Sequence, residues 1–310
     1  MRFKISEICI VILCNRCATF IIDIIIYTYF IISFMGYIDL FNKNEITVAP
    51  GIYDPLSALI AEKAGFKFLY LSGASISYSY LGLPDMSFTS LTDVESVLRR
   101  ITNRINTPII CDADTGYGNE TNVEYTVKLL ERAGAAAIQI EDQKSPKRCG
   151  HLSGKEVLPY DEMIIKIKTA VKTRKEALII ARTDSLSING IDDAIKRANL
   201  YLEAGADIAF VEAPKNYNDL KKIGKSINGY KMANMVEGGK TPLIPVTELK
   251  ELGFNLVIYP GAAIRAISRT LENLYNTIKD NGTTENFLDS MIKFDDLQQL
   301  LDINKLITQK

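Results

Sequence analysis

Histidine is almost absent from this chain: His151 is the sole example in 310 residues. Any histidine chemistry therefore falls on that residue, and the imidazole-rich sets that hold zinc have no material to form from. Cysteine is scarce as well. Five residues, three of them within the first seventeen, do not make a disulfide framework and point to a reducing, cytoplasmic compartment. Cys14 and Cys17 have redox or metal spacing but no second pair and no nearby histidine, so that spacing is read as accidental. Neither charge sign is in excess: 36 basic residues face 37 acidic ones, for a net charge of −1. That leaves no field for nucleic acid. No GxGxxG turn follows the first predicted strand, where Pro50-Gly-Ile-Tyr-Asp-Pro55 stands, and Gly238-Gly-Lys-Thr241 lacks the spacing of a P-loop. Nucleotide binding is thereby excluded.

Long hydrophobic runs are absent too, with one exception. Ala18–Ile38 is apolar except for Asp23 and is long enough to span a bilayer, with Arg2, Lys4 and Arg16 before it. Asp23 would cost a few kcal/mol in lipid, and Met35 begins a sensible soluble start. Residues 1–40 are therefore read as a dispensable leader or an over-extended start rather than a membrane anchor, and 41–310 as the catalytic domain.

From residue 45 onward short apolar runs alternate with amphipathic ones. The predicted strands are 46–50, 68–72, 108–112, 137–141, 178–182, 208–212, 231–235 and 256–259, each followed by a helical pattern. Eight such pairs are the count of a (β/α)8 TIM barrel. An internal repeat supports it: helices end at Gly65, Gly134, Gly205 and Gly253, and seven residues beyond each stand Ser72, Glu141, Glu212 and Pro260. In a parallel barrel those positions share the carboxyl-terminal mouth, where active sites lie. Beyond Ala262 a long helix to Asn281 and two shorter helical stretches, 285–293 and 294–306, carry more apolar positions than an eighth barrel helix needs.

Carboxylates recur at the strand ends. Asp112 and Asp114 are two apart, and hard oxygen ligands with few His or Cys nearby favour Mg²⁺; the bland reading is an Asx turn before Gly116. Cys111 reads as a small core residue. Arg182 with Asp184 fits either an ion pair or a receptor for a substrate carboxylate. Asn234 and the run Glu237–Thr241 form a polar loop suited to an anion. Cys149 lies in a Gly/Ser/Pro-containing segment between Lys147, Arg148 and His151, cations expected to draw its thiol toward thiolate.

The runs Tyr70-Leu-Ser-Gly-Ala74, Gly82-Leu-Pro-Asp85, Asp112-Ala-Asp-Thr-Gly-Tyr-Gly118, Gln139-Ile-Glu-Asp142, Lys147-Arg-Cys-Gly-His151, Ala181-Arg-Thr-Asp184 and Ala233-Asn-Met235 resemble the isocitrate lyase/phosphoenolpyruvate mutase superfamily, over about 46–302. Within it, the cysteine of Lys147–His151 points to the carbon–carbon lyases. The run 234–241 departs toward the oxaloacetate hydrolase and alkylmalate lyase branch. The resemblance implies a Mg²⁺-dependent homotetramer that exchanges its last helix and acts on a small carboxylate. It assigns Asp112 to the metal directly, and Asp114 and Glu141 through water. Ser72, Gly73 and Ala74 would hold a pyruvate-like end, Arg182 its carboxylate, and Gly150, His151, Glu212, Asn234 and Thr241 the remainder. The implied chemistry is retro-aldol cleavage with Tyr70 as base and Cys149 as acid, assisted by Lys147 and His151. A phosphonomutase using Asp85 on a phosphoryl group is the alternative, and a barrel kept only for binding is a further one.

Overall fold

The computed structural model describes residues 36–40 and 45–303. The chain divides into two units, Met1–Leu40 and Phe41–Lys310. Of the first, the described part is a 3-10 turn, Tyr37–Leu40; the apolar run 18–38 lies almost wholly outside the described residues. Among the described residues no helix is long and apolar enough to cross a membrane.

The second unit is a closed barrel of eight parallel strands in sequence order. The strands are β1 Thr47–Ile52, β2 Leu69–Leu71, β3 Ile109–Asp112, β4 Ala135–Glu141, β5 Leu178–Thr183, β6 Ile208–Val211, β7 Tyr230–Asn234 and β8 Leu256–Tyr259. The principal helices that follow them are α1 Pro55–Lys63, α2 Leu91–Thr102, α3 Glu120–Arg132, α4 Tyr160–Thr173, α5 Ile191–Glu203, α6 Tyr217–Ser226, α7 Val246–Glu251 and α8 Ala262–Asn281. Side chains supply the start signals. Asp54, Ser90 and Asn119 each cap a helix through a reciprocal capping box, a device worth about 1 kcal/mol apiece. Gly65, Gly134, Gly205 and Gly253, each two residues past the last helical residue, all have positive φ, the left-handed conformation that ends a helix cheaply only with glycine.

Side chains alternate across each strand, and this sorts the chain into two layers. Leu69, Leu71, Cys111, Ile138, Ile140, Ile179 and Ala181 pack outward against helix residues such as Val94, Leu98, Val127, Met163 and Ile167. Ala209, Val211, Ala233 and Val257 do the same against Ala194, Leu220, Ile223 and Leu249. The other parity points Tyr70, Asp112, Gln139, Glu141, Arg182 and Asn234 into the barrel. Strand register then sets Asp112 beside Gln139 and Glu141 beside Arg182. The seam between β1 and β8 is tight: a Cβ on Gly51 would lie 2.3 Å from the Pro260 carbonyl oxygen.

Beyond the barrel, the 285–293 stretch is a 3-10 turn, Glu285–Ser290, rather than an α-helix, and α9 spans Phe294–Leu300. Within α8 only Ile264 is buried, while Ile267, Leu271, Tyr275 and Ile278 are exposed, as are Leu288, Ile292 and Phe294 after it.

Candidate active site

Three strand ends supply the acidic floor. Asp112 closes β3, and its Oδ1 accepts a hydrogen bond from Gln139 Nε2 at 3.1 Å. Asp114 follows at φ 46°. Gly73, just after β2, is close to both: a Cβ there would lie 3.3 Å from Asp112 Oδ2 and 3.5 Å from Asp114 Oδ1. Ser72 Oγ is already occupied as the cap of the short turn Gly73–Ile76, accepting from the Ser75 N–H. Glu141 ends β4 with Oε2 3.1 Å from Arg182 Nε. Arg182 reaches Asp184 through Nε at 2.8 Å and Nη2 at 3.1 Å and lies over the Phe210 ring. Of the two readings of Arg182, the ion pair with Asp184 is the one made.

Over this floor folds the segment between β4 and α4. An antiparallel bridge between Gln143 and Val157 closes its base. Above it Gln143 grips the Arg148 backbone, donating to its carbonyl at 2.8 Å and accepting from its N–H at 3.0 Å. The Cys149 N–H donates to the Asp85 carbonyl. Gly150 is wedged against the barrel so closely that a Cβ would lie 2.5 Å from Arg182 Nη2 and from Glu212 Oε1. His151 accepts the Lys240 N–H on Nδ1 and turns Nε2 to Glu212 Oε1, 3.1 Å away. Glu212 also receives Asn234 Nδ2 on both oxygens. Thus Cys149, Gly150, His151, Arg182, Glu212 and Asn234 meet at one place.

Two sequence expectations need correcting. The cations beside Cys149 in sequence do not act on it in space: Lys147 pairs with Asp85 and lies 2.8 Å from Asp114 Oδ1, and Arg148 turns to the Ser153 carbonyl. Burial dominates instead and pushes the thiol above its ordinary value, with Asp85 and Glu212 adding to it against the backbone N–H of His151. Cys149 is held as a thiol, not drawn toward thiolate. Tyr70 does not fit a base. It is buried, its hydroxyl donates to Gln139 Oε1 at 3.1 Å, and burial first, then Asp112, raise it well above 10.

The residues fit a divalent cation. Six carboxylates (Asp85, Asp112, Asp114, Glu141, Asp184 and Glu212) lie around three basic side chains (Lys147, Lys155 and Arg182). Burial lifts Asp114 to about 6, against the pull of Lys147, and lifts Glu141 well above the usual carboxylate range. Glu141 Oε1 is buried without a hydrogen bond, while Asp114 Oδ1 faces Lys147 Nζ at 2.8 Å. Among the described residues no three His, Cys, Asp or Glu form a ready-made cage. An ion that keeps waters and takes one or two carboxylates, as Mg²⁺ does, suits that set. Asn234 Oδ1 and Thr241 Oγ1 are likewise buried and unpartnered.

Sequence reasoning gave no role to Gln139, which ties Tyr70 to Asp112, or to Lys155. Its signal for Gln139 was a polar residue two before Glu141 in an apolar strand. For Lys155 there was only its place at the end of a Gly/Ser-containing run.

A family model described as phosphoenolpyruvate phosphomutase matches residues 38–279. The chain belongs to the phosphoenolpyruvate phosphomutase family. Among relatives in that family, a 2-methylisocitrate lyase of Aeropyrum pernix is 46% identical over 253 residues, covering 82% of each chain. A solved 2,3-dimethylmalate lyase, described as a member of the PEP mutase/isocitrate lyase superfamily, superposes with a TM-score of 0.83 at 35% identity over 88% of this chain and 92% of its own. A phosphonopyruvate hydrolase solved with oxalate and Mg²⁺ gives 0.78 at 28% identity, over 87% and 94%. The family thus holds lyases, hydrolases and mutases on one barrel.

Proposed function

We propose that this chain is an oxo-acid lyase that splits a carbon–carbon bond of a small 2-hydroxy acid, with 2-methylisocitrate, cleaved to pyruvate and succinate, as its leading substrate. The observation that carries the reading is Cys149: a thiol kept protonated by burial, on a segment seated against Arg182 and Glu212 above an acidic floor. A general acid must hold its proton until the transition state and then give it to the developing carbanion.

In this reading Asp112 would hold Mg²⁺, with Asp114 and Glu141 around it through water. When bound, the ion supplies positive charge against the charge that develops as the bond breaks. Arg182 takes the carboxylate that becomes pyruvate's, and Asn234 Oδ1 and Thr241 Oγ1 offer the remaining polar contacts. The proton of the substrate hydroxyl passes to a carboxylate of the acidic floor, Asp114 or Glu141, whose proton affinity burial raises; the hydroxyl carbon becomes a carbonyl, and the electron pair of the broken bond passes to the dicarboxylate fragment. Cys149 Sγ delivers the proton to that fragment. His151, held by Lys240 and Glu212, fixes the segment that carries the thiol. The same segment over the mouth excludes water, which strengthens each of these interactions. The exposed apolar face of α8 and the residues after it fit burial between subunits of a homotetramer.

The experiment is a cleavage assay with Mg²⁺ that reads pyruvate from 2-methylisocitrate and 2,3-dimethylmalate, glyoxylate from isocitrate and oxalate from oxaloacetate, beside phosphoryl transfer from carboxyphosphonoenolpyruvate. Cleavage of one of the hydroxy acids with turnover above the others supports the lyase. Turnover only of the phosphonate would replace it with the mutase.

A further inference from the structure

Lys155 is a buried ammonium that neither the cleavage chemistry nor the metal site uses. Its side chain is 1% exposed, and it stands 2.6 Å from Asp184 Oδ1 while also donating to the Gly150 carbonyl. Taking an ammonium out of water is costly unless it is paired, so these two contacts decide where the segment sits. Asp184 cannot follow a moving lysine. It is gripped by Arg182, and its backbone N–H donates to Asp142 Oδ1 at 2.9 Å. Asp142 is itself fixed by Thr183 Oγ1 at 2.7 Å, Tyr201 OH at 2.9 Å and Arg197. The chain from Gly150 to Lys155 is therefore closed into a ring and fastened to the end of β5, on the same carboxylate that orients Arg182.

We propose that Lys155 is a positioning residue: through Asp184 and the Gly150 carbonyl it seats Cys149 and Arg182 together over the barrel mouth. Lys147 fastens the other flank to Asp85 and Asp114, so removing Lys155 frees one side of the segment only. The effect on turnover rests on Cys149 being the acid; the effect on seating does not.

The test is Lys155→Met in the full chain, read by the rate of iodoacetamide alkylation at Cys149 with peptide mapping, beside kcat and KM. Seated, the thiol is half-buried; release exposes it further and relieves the desolvation that keeps it protonated, so alkylation should rise. Loss of a charge-assisted hydrogen bond predicts an increase of about tenfold or more. Cys111, sealed between barrel and helices, should stay unmodified. Lys231→Met, which removes a buried ammonium at the opposite end of the barrel, where it donates to the Gly253 carbonyl, should leave the Cys149 rate unchanged. Turnover should fall with KM moving less. Equal Cys149 rates in wild type and Lys155→Met overturn the proposal, as does a parallel rise at Cys111, which would mark general loosening. If Lys155→Met does not fold, Lys155→Gln keeps a donor for the carbonyl without the charge and is judged by the same two rates. A wild type inactive on every hydroxy acid would refute the lyase reading and leave the alkylation result to decide this one.

Discussion

Gly150→Ala isolates the seating of the Cys149 segment with a single methyl group. A Cβ at this position would lie 2.5 Å from Arg182 Nη2, Glu212 Cγ and Glu212 Oε1. Carbon needs about 3.5–4.0 Å, so the shortfall is about 1 Å. Neither neighbour can retreat: Arg182 is held by Asp184 and Glu141, and Glu212 by His151 and Asn234. The backbone is not the cause, because Gly150 is not among the glycines with positive φ. The segment must therefore lift, carrying Cys149 with it, and a displacement of about 1 Å from productive geometry costs about 10²-fold in rate, or roughly 3 kcal/mol of barrier. Steady-state kinetics by coupled pyruvate detection should give that loss in kcat. The melting temperature should move little, since the barrel core is untouched. A kcat within threefold of wild type would show that the segment does not work in the seated position.

The remaining predictions concern the barrel seam, the charges and the metal. Gly51→Ala should destabilise the fold by about 3 kcal/mol or more, measured by denaturant melts, because a Cβ against the Pro260 carbonyl must part β1 from β8; a loss below about 1 kcal/mol would contradict that packing. Glu212 sits at about 2: burial alone would raise it, but Arg182, His151 and Asn234 outweigh burial. Its folded value being depressed, its contribution of roughly 3 kcal/mol is present above its ordinary 4.5 and is lost as pH falls from there toward 2. Wild type should thus exceed Glu212→Gln in stability at pH 7, with the gap narrowing by pH 3; a constant gap would mean the carboxylate is not held ionised. Asp112→Ala should abolish turnover and its Mg²⁺ dependence, whereas Asp114→Ala should chiefly raise the Mg²⁺ concentration needed; small, equal effects would make the metal assignment untenable.

Much of this was legible in the sequence because it follows from period and punctuation. Alternation alone puts Cys111 outward and Asp112 inward. The four glycines seven residues before Ser72, Glu141, Glu212 and Pro260 mark both helix ends and the mouth. What sequence neighbours suggested about charge was misleading where chain order and space diverge. Lys147 is two residues from Cys149, yet its ammonium reaches loop carboxylates more than thirty and sixty residues away, at Asp114 and Asp85. Tyr70 fails as a base because burial and the Gln139 contact, both tertiary, set its proton affinity. Lys155 gave no signal for the same reason: its meaning lies in Asp184, which only the fold brings to it. The two stretches after Asn281 are helical where periodicity expected them, as a 3-10 turn over Glu285–Ser290 and an α-helix over Phe294–Leu300, both shorter than the expected ranges among the described residues.

Cys149→Ser tests the central claim most directly. Serine keeps the size and one hydrogen bond but is far too weak an acid. Pyruvate release from the best hydroxy-acid substrate should fall by the roughly 10²–10⁴-fold that general acid catalysis supplies, with KM nearly unchanged. Cleavage by Cys149→Ser at near the wild-type rate would contradict the account.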